Sequence, residues 1–263
     1  MRWFAIALFV FHFSAVAAQP KTLTLVLPTQ LDGSHLFYHE LLRQSLDSIG
    51  VKLTIKTPFE HIPQKRLVKM VENNQLSLMW LLQTKERDAQ YTYVNAPVTN
   101  GLIGKRVLLI PKGAQPQYDS INSLDELRQS GLTAGLGYAW YDADVWLHND
   151  LPFYEQDGEW RMLYRKLSTQ GAINYFPRGV NEVMAESRLN PQLEIEQHLL
   201  LIYQRDFRFY LSEGAKQHKA LLERALLKAE QSGLLQRLID QYWATEITQL
   251  QLNKRKVLKL VTP

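Results

Sequence analysis

Short apolar runs alternate with amphipathic stretches along most of the chain. The run LTLVL ends at Pro28, and apolar residues then recur every three or four positions from Phe37 to Ile49, the period of a helix with one buried face. Gly50 stands where a left-handed residue ends a helix, and VKLTIKTP then alternates apolar and polar residues as a strand does. This segment predicts strand, helix, strand, the unit of a parallel α/β sheet.

The same alternation continues to the end of the chain. A second α/β unit begins at the capping box from Ser123 to Glu126, whose helix is closed by Gly131. The segment HLLLIYQRDFRFYLS predicts two successive strands, and two amphipathic helices follow from Gly214. Short extended segments join the two units, which favours two lobes over two independent domains.

The first eighteen residues have the pattern of a secretory signal peptide. An apolar stretch from Phe4 to Phe13 is followed by small residues at Val16 and Ala18, which suit cleavage before Gln19. The stretch is shorter than the ~20 apolar residues that a membrane span needs. We therefore expect a protein that works outside the cytoplasm, with an uncleaved amphipathic anchor as the alternative.

Composition narrows the class of protein. The chain is 46% hydrophobic and 21% charged, which is typical of a globular protein. It has no cysteine, which excludes disulfides, thiolate metal sites, a thiol nucleophile and a lipidated N-terminal cysteine. The net charge of +4 is too small and dispersed to indicate nucleic acid binding. The one basic cluster, NKRKVLK, is expected to be a solvated tail.

In open α/β sheets a ligand binds beyond the carboxyl ends of the strands. The segments at those positions are residues 28–33, WLLQTKER, GYAWYD and PRGVN, which are rich in aromatic residues and arginine. They offer no nucleophile paired with a base. This composition suits holding a small polar ligand better than transforming one.

The order of these motifs resembles that of bacterial extracellular solute-binding protein family 3, the periplasmic amino-acid-binding proteins. The resemblance rests on TKER followed by YTYVNAPVTNGL, on SLDELRQSGLTAGLG, and on the long helix, glycine and LLQRLIDQYW near the end. It implies the type II periplasmic binding fold, with two α/β lobes, mainly parallel sheets flanked by helices, and two hinge crossovers. The implied division is a signal peptide at 1–18, one lobe from 19–110 with 209–263, and another from 111–208.

The resemblance implies that Arg87, in the T-x-x-R element that begins at Thr84, clamps the carboxylate of the ligand from the first lobe. A guanidinium fork matches a carboxylate bidentately and stays charged in a desolvated cleft. The alternative is an exposed arginine in a helical run of charged residues.

The second lobe departs from the family pattern. In the family, a strand of the type Gly-x-x-Asp leads to an acidic residue that neutralises the ligand's amino group. This chain has Asn174 in place of the strand Asp, and Arg178 and Gly179 at the position of the acidic residue. This departure points to a ligand with additional anionic or carbonyl oxygen, held by Arg178 and by the helix that follows PRGVN. The alternative for Arg178 is a structural hydrogen bond across the hinge.

Aromatic residues complete the predicted site. The loop GYAWYD presents Tyr138 and Trp140 with Asp142 beside them, and Tyr38 and Trp80 are first-lobe candidates that are equally compatible with core packing. Asp142 and Asp144 also suit the first turn of a helix better than a catalytic pair. His35 and His39 have helical spacing for a shared metal but no third ligand, so they are expected to be exposed or near the helix cap.

These observations predict a monomeric periplasmic protein that closes its hinge on a small carboxylate-bearing solute, amino-acid-like or dianionic, for an ABC-type transporter. No catalytic residue, metal or cofactor is implied. Three alternatives stay open: a ligand-sensing partner of a membrane sensor kinase or chemoreceptor, a dehydratase-like enzyme on the same fold, and an exported assembly factor without a small ligand.

Overall fold

The structure is a computed structural model that describes residues 21–30, 33–58 and 62–263. The predicted signal peptide lies outside these ranges. The strands are β1 (Lys21–Val26), β2 (Val51–Lys56), β3 (Leu78–Leu82), β4 (Thr92–Tyr93), β5 (Lys105–Pro111), β6 (Ala134–Gly137), β7 (Phe153–Gln156), β8 (Phe176–Gly179), β9 (Leu193–Ile195), β10 (Leu199–Ile202), β11 (Phe207–Leu211) and β12 (Lys256–Lys259). The helices are α1 (Leu36–Asp47), α2 (Gln64–Glu72), α3 (Lys85–Gln90), α4 (Leu124–Gln129), α5 (Tyr141–His148), α6 (Leu163–Lys166), α7 (Val183–Leu189), α8 (Lys219–Gln231) and α9 (Leu234–Gln249).

The first lobe contains β1 to β4, β11, α1 to α3, α8 and α9. β1 pairs with β2 in parallel, and β11 lies between β3 and β4, antiparallel to both. The apolar face of α1 is buried through Phe37, Leu41 and Leu42, and the helix is followed by Gly50 with a φ of 77°, as the sequence predicts.

The second lobe contains β5 to β10, β12 and α4 to α7. One sheet has the order β12-β10-β5-β8, with β9 also on β5, and β6 pairs with β7. β5 runs antiparallel to β8, β9 and β10. The sheets are therefore mixed and not mainly parallel. β5 carries the chain away from the crossover and β10 carries it back, so these two neighbouring strands run in opposite directions.

Two crossovers, from β4 to β5 and from β10 to β11, lie against each other. The backbone N–H of Tyr203 donates to the Gly104 carbonyl, and the Asp206 carboxylate accepts the N–H groups of Val98 and Thr99. A Cβ at position 104 would lie 2.2 Å from the Tyr203 carbonyl oxygen, so only glycine allows this contact. The second lobe begins before the predicted boundary at residue 110, because the whole of β5 pairs with β8 in the second-lobe sheet.

The C-terminal segment is not the solvated tail that its charges predicted. β12 pairs with β10 in parallel, and the Arg255 guanidinium donates to the carbonyls of Glu196 and Leu199. Leu258 is buried while Lys256 and Lys259 stay exposed, so the strand packs on the core through its apolar side chain and keeps its charges in solvent. The chain thus passes between the lobes a third time, after α9, and ends in the second lobe and not in the first as predicted.

The core extends across both lobes. One buried apolar cluster joins first-lobe residues such as Leu25 and Phe209 to second-lobe residues such as Val107 and Phe176. Among the described residues, no helix combines the length and apolar character that crossing a membrane requires.

Candidate functional site

A cavity of about 320 Å³ lies between the two lobes. Six of the predicted binding residues line it: Tyr38, Trp80, Arg87, Trp140, Asp142 and Arg178. They come from α1, β3 and α3 on one side and from β8 and the start of α5 on the other. The cavity therefore lies beyond strand ends, where a ligand is expected in this class of fold.

Arg87 stands at the boundary between the lobes. Its Nη1 donates to the Leu82 carbonyl at 2.6 Å, and its Nη2 reaches 3.4 Å across the cleft to the carbonyl of Ala139. Among the described residues, no carboxylate lies within 4.0 Å of Arg87. Burial lowers the pKa of Arg87 from its ordinary value, and the guanidinium remains charged at neutral pH.

The first lobe presents an aromatic wall to the cavity. The rings of Tyr38 and Trp80 stack at 4.6 Å with an angle of 23° between their planes. His39 packs on the edge of Trp80 and is buried, with its Nε2 2.9 Å from the Pro28 carbonyl oxygen. The prediction that both histidines are exposed or near the helix cap is confirmed for His35, which is the N-cap of α1, and is wrong for His39, which is buried and supports Trp80 from within α1.

Arg178 faces the cavity but is held by carboxylates. Its Nε and Nη2 donate to the two oxygens of Glu186 at 2.7 and 2.6 Å, and Nη2 lies 3.1 Å from Glu182. Burial opposes its charge, but the two glutamates outweigh burial and raise its pKa well above the ordinary value. The guanidinium also lies over the rings of Trp160 and Trp140. Arg178 is therefore neutralised within its own lobe.

The predicted anion site at the start of α7 is not formed. Glu182 occupies the N-cap position of this short helix, so a carboxylate stands where the anion was expected. Its Oε2 accepts the backbone N–H of Gly179. Asn174, in place of the family's acid, is structural, since its amide bonds the backbones of Thr133, Ser168 and Gly171.

Asp142 belongs to a buried network that the sequence did not reveal. It lies 3.0 Å from Nη2 of Arg106 and accepts a hydrogen bond from the Tyr203 hydroxyl at 2.9 Å. Burial opposes the charge of Arg106, but Asp142 and Tyr203 outweigh it and raise the arginine's pKa. Arg106 is the second residue of an apolar strand, and no local motif distinguishes it from a surface arginine.

Three predicted residues do not line the cavity in the part of the chain that the structure describes. Thr84 is the N-cap of α3, where its hydroxyl accepts the Arg87 N–H at 3.1 Å. Tyr138 is 46% exposed at the rim, with the Lys65 ammonium 5.3 Å from its ring centre. Gly179 leaves room for neighbours, since a Cβ there would lie 2.7 Å from the side-chain oxygen of Asn181.

Within residues 21–30, 33–58 and 62–263, no group of three or more histidine, aspartate or glutamate side chains is arranged to hold a metal ion. His39 in α1 and His35 at its N-cap both pack on the ring of Trp80. What the cavity offers is stacking surface, one arginine held by neutral carbonyls, and a buried cluster of arginines and carboxylates. Such groups can bind and orient a small polar solute.

No known protein-family profile and no curated protein sequence matches the chain. Solved structures do match. An ancestral arginine-binding protein bound to arginine shares 15% identity at a TM-score of 0.59, over 84% of this chain and 98% of the other. An amino acid ABC transporter substrate-binding protein from Streptococcus pneumoniae bound to L-arginine shares 18% at 0.57, over 85% and 96%.

The GluR0 ligand-binding core from Nostoc punctiforme in complex with L-glutamate shares 16% identity at a TM-score of 0.56, over 83% of this chain and 99% of that one. The chain has the type II periplasmic binding fold. This confirms the fold prediction made from the motifs. The names of these three proteins describe them as bound to arginine or glutamate. At such low sequence identities, the likeness establishes the fold of this chain and not its ligand.

Proposed function

We propose that this protein is a periplasmic solute-binding protein that captures a small carboxylate-bearing solute between its lobes for an ABC-type transporter. The observation that carries the proposal is Arg87, a cavity-lining arginine at the lobe boundary whose side-chain hydrogen bonds within the described residues are to neutral carbonyls. A carboxylate would give the guanidinium the charged, bidentate partner that its carbonyl contacts do not supply. The names of the structural neighbours, which include an amino acid ABC transporter substrate-binding protein, support the same role.

The charges around the cavity favour a zwitterion over a dianion. In the buried cluster, the guanidinium groups of Arg106 and Arg178 face three carboxylates, those of Asp142, Glu182 and Glu186. Two guanidinium groups and three carboxylates leave this cluster with one excess negative charge. Arg161 also lines this side of the cavity but is paired with Glu159 at 3.7 Å, whereas Arg87 supplies positive charge at the lobe boundary. A solute with a carboxylate and an ammonium group matches both ends, as an amino acid does.

Contacts across the cleft support capture by closure. The Ala139 carbonyl accepts from Gln64 Nε2 at 3.0 Å as well as from Arg87, and Arg188 reaches Glu246 at 3.3 Å. These contacts join first-lobe helices to a loop (Ala139) and a helix (Arg188) of the second lobe, so opening the hinge would break them. They form a rim that a bound solute would help to hold shut.

Binding without catalysis is the role that the carboxylates suit. In the described part of the chain, each cavity-lining carboxylate is in an ion pair with an arginine, and Asp142 and Glu186 are each within 3.0 Å of theirs. A general acid or base needs a proton to exchange near neutral pH, which an arginine-paired carboxylate does not provide. The export signal, the transporter and the monomeric state remain part of the proposal.

Arg87→Ala tests the proposal directly. Thermal shift and calorimetry with L-amino acids and dicarboxylates should identify a ligand of the wild-type protein, and Arg87→Ala should weaken it about 10- to 100-fold. Arg87→Lys should recover part of the affinity, because it keeps the charge but loses the fork. Arg43→Ala on α1, outside the cavity, is the matched control. Full binding by Arg87→Ala would contradict the assignment.

A further inference from the structure

One part of the cavity contains buried polar atoms that have no hydrogen-bond partner. Arg106 is 3% exposed and lines the cavity. Its Nε donates to Tyr203 and its Nη2 to Asp142, but its Nη1 makes no hydrogen bond. The Oε2 of Glu182 is 3.6 Å from Nη1, too far for one. A buried donor without a partner is costly, so this oriented guanidinium holds the N–H groups of Nη1 available for a ligand.

An acceptor lies close to this donor. Arg106 and Gly179 are directly opposite each other on β5 and β8. Because Gly179 has no side chain, Asn181 and Glu182 fold over it, each with an oxygen within 3.0 Å of where a Cβ would be. The Asn181 Oδ1 is also buried without a hydrogen-bond partner. Its amide can present either oxygen or nitrogen to a ligand by rotating.

The charge at this place restricts what can fill it. Within the ion-pair cluster, three carboxylates (Glu182, Glu186 and Asp142) outnumber Arg106 and Arg178, and the nearby Arg161 is paired with Glu159. An additional carboxylate would therefore be repelled in this poorly solvated site. An apolar group would leave Arg106 Nη1 and Asn181 unpaired. The carboxylates attract the ammonium group of a zwitterion, but an ammonium group only donates, so by itself it leaves Nη1 without an acceptor. A neutral group that both donates and accepts, such as a carboxamide or a ureido group, satisfies all three conditions.

We propose that Arg106, Asn181 and Glu182 form a distal subsite that selects solutes carrying a carboxamide or ureido group in addition to the carboxylate bound at Arg87. This inference rests on the proposed function, since Arg87 and the cleft supply the rest of the binding energy. In this arrangement Gly179 does not contact the ligand. Its lack of a side chain makes room for Asn181 and Glu182, which do.

The test compares matched zwitterions by calorimetry: L-glutamine and L-citrulline, L-glutamate, and L-norvaline, which has no side-chain polar group. Glutamine or citrulline should bind about tenfold or more tightly than glutamate and norvaline, as expected when one or two hydrogen bonds are gained or lost. Equal or tighter binding of glutamate or norvaline overturns the distal subsite. Failure of the proposed function is a different result, in which none of the four zwitterions binds.

Two variants assign the selectivity to these residues. Asn181→Leu should lower the affinity for glutamine toward that for norvaline and leave norvaline unchanged. Glu182→Gln removes one negative charge and should raise glutamate affinity relative to glutamine. Glu213→Gln, an exposed position outside the cavity, should leave every ratio as in the wild type. An unchanged glutamine-to-norvaline ratio in Asn181→Leu overturns the proposal, and this variant decides alone if Glu182→Gln does not fold.

Discussion

The two lobes treat their cavity-lining arginines in opposite ways. In the first lobe, Arg87 donates to the carbonyls of Leu82 and Ala139, and it forms no ion pair within 4.0 Å among the described residues. In the second lobe, Arg178 is gripped by Glu186 and Glu182. An arginine is thus a candidate ligand anchor in the first lobe, whereas in the second lobe it is paired with carboxylates of its own lobe. An arginine beside a cavity attracts an anion only to the extent that its neighbours leave it uncompensated.

The largest expected effect comes from breaking the second-lobe pair. Glu186→Leu removes both short hydrogen bonds to Arg178 and leaves a buried guanidinium with one partner, which should lower the free energy of unfolding by about 3 kcal/mol. Arg87→Met should cost about 1 kcal/mol or less, since its hydrogen bonds are to neutral carbonyls. Urea unfolding of the unliganded variants measures both.

The double variant Glu186→Leu with Arg178→Met is the control for this prediction. It removes the Arg178 guanidinium together with Glu186, so no incompletely paired buried charge remains, and it should recover most of the lost stability. If Glu186→Leu and Arg87→Met destabilise the protein equally, the contrast between the two lobes is wrong.

A smaller effect, the pH dependence of the free energy of unfolding, should come from His39 in the first lobe. Burial lowers the pKa of His39 from 6.5, and the hydrogen bond to Pro28 offsets this only in part. The unfolded chain therefore takes up a proton that the folded protein resists, so the contribution of His39 is complete above about pH 6.5 and is lost as the pH falls below it.

Urea midpoints measured between pH 7.5 and 5 check this expectation. The part of the loss due to His39, measured as the difference between the wild type and His39→Gln, should be no steeper than about 1.4 kcal/mol per pH unit, the limit for one proton. His39→Gln should flatten the profile, whereas His148→Gln, at an exposed position of α5, should leave it as in the wild type. The same slope in His39→Gln would assign the effect to other groups.

The smallest effect concerns the turn that positions Arg87. Thr84→Ala removes the acceptor for the Arg87 N–H and should cost about 1 kcal/mol of stability, while Thr84→Ser should restore it. Because Thr84 does not line the cavity, ligand affinity should change much less than in Arg87→Ala. A loss of affinity in Thr84→Ala as large as in Arg87→Ala would place Thr84 in contact with the ligand.

The local predictions succeeded where a few neighbouring residues decide the outcome. The Ser123 hydroxyl accepts the Glu126 N–H as the capping box requires, and Gly131 has a φ of 69°. The T-x-x-R element places Arg87 at the cavity for the same reason, since the cap and the strand end before it fix its position. NKRKVLK was misread because its partner, β10, lies far away in sequence.

The sequence by itself determined the first strand–helix–strand unit, the capped helix α4, the strands β10 and β11 and the two long helices after Gly214, since periodicity and capping act over a few residues. It also indicated the candidate anchor at Arg87 and the aromatic residues around the cleft. Only the tertiary structure decided the mixed sheets and the third passage between lobes. It also decided that Arg178 is neutralised and that Arg106, Asn181 and Glu182 meet. Charge compensation depends on distances of 3 to 4 Å between residues from different elements, and no local pattern encodes those distances.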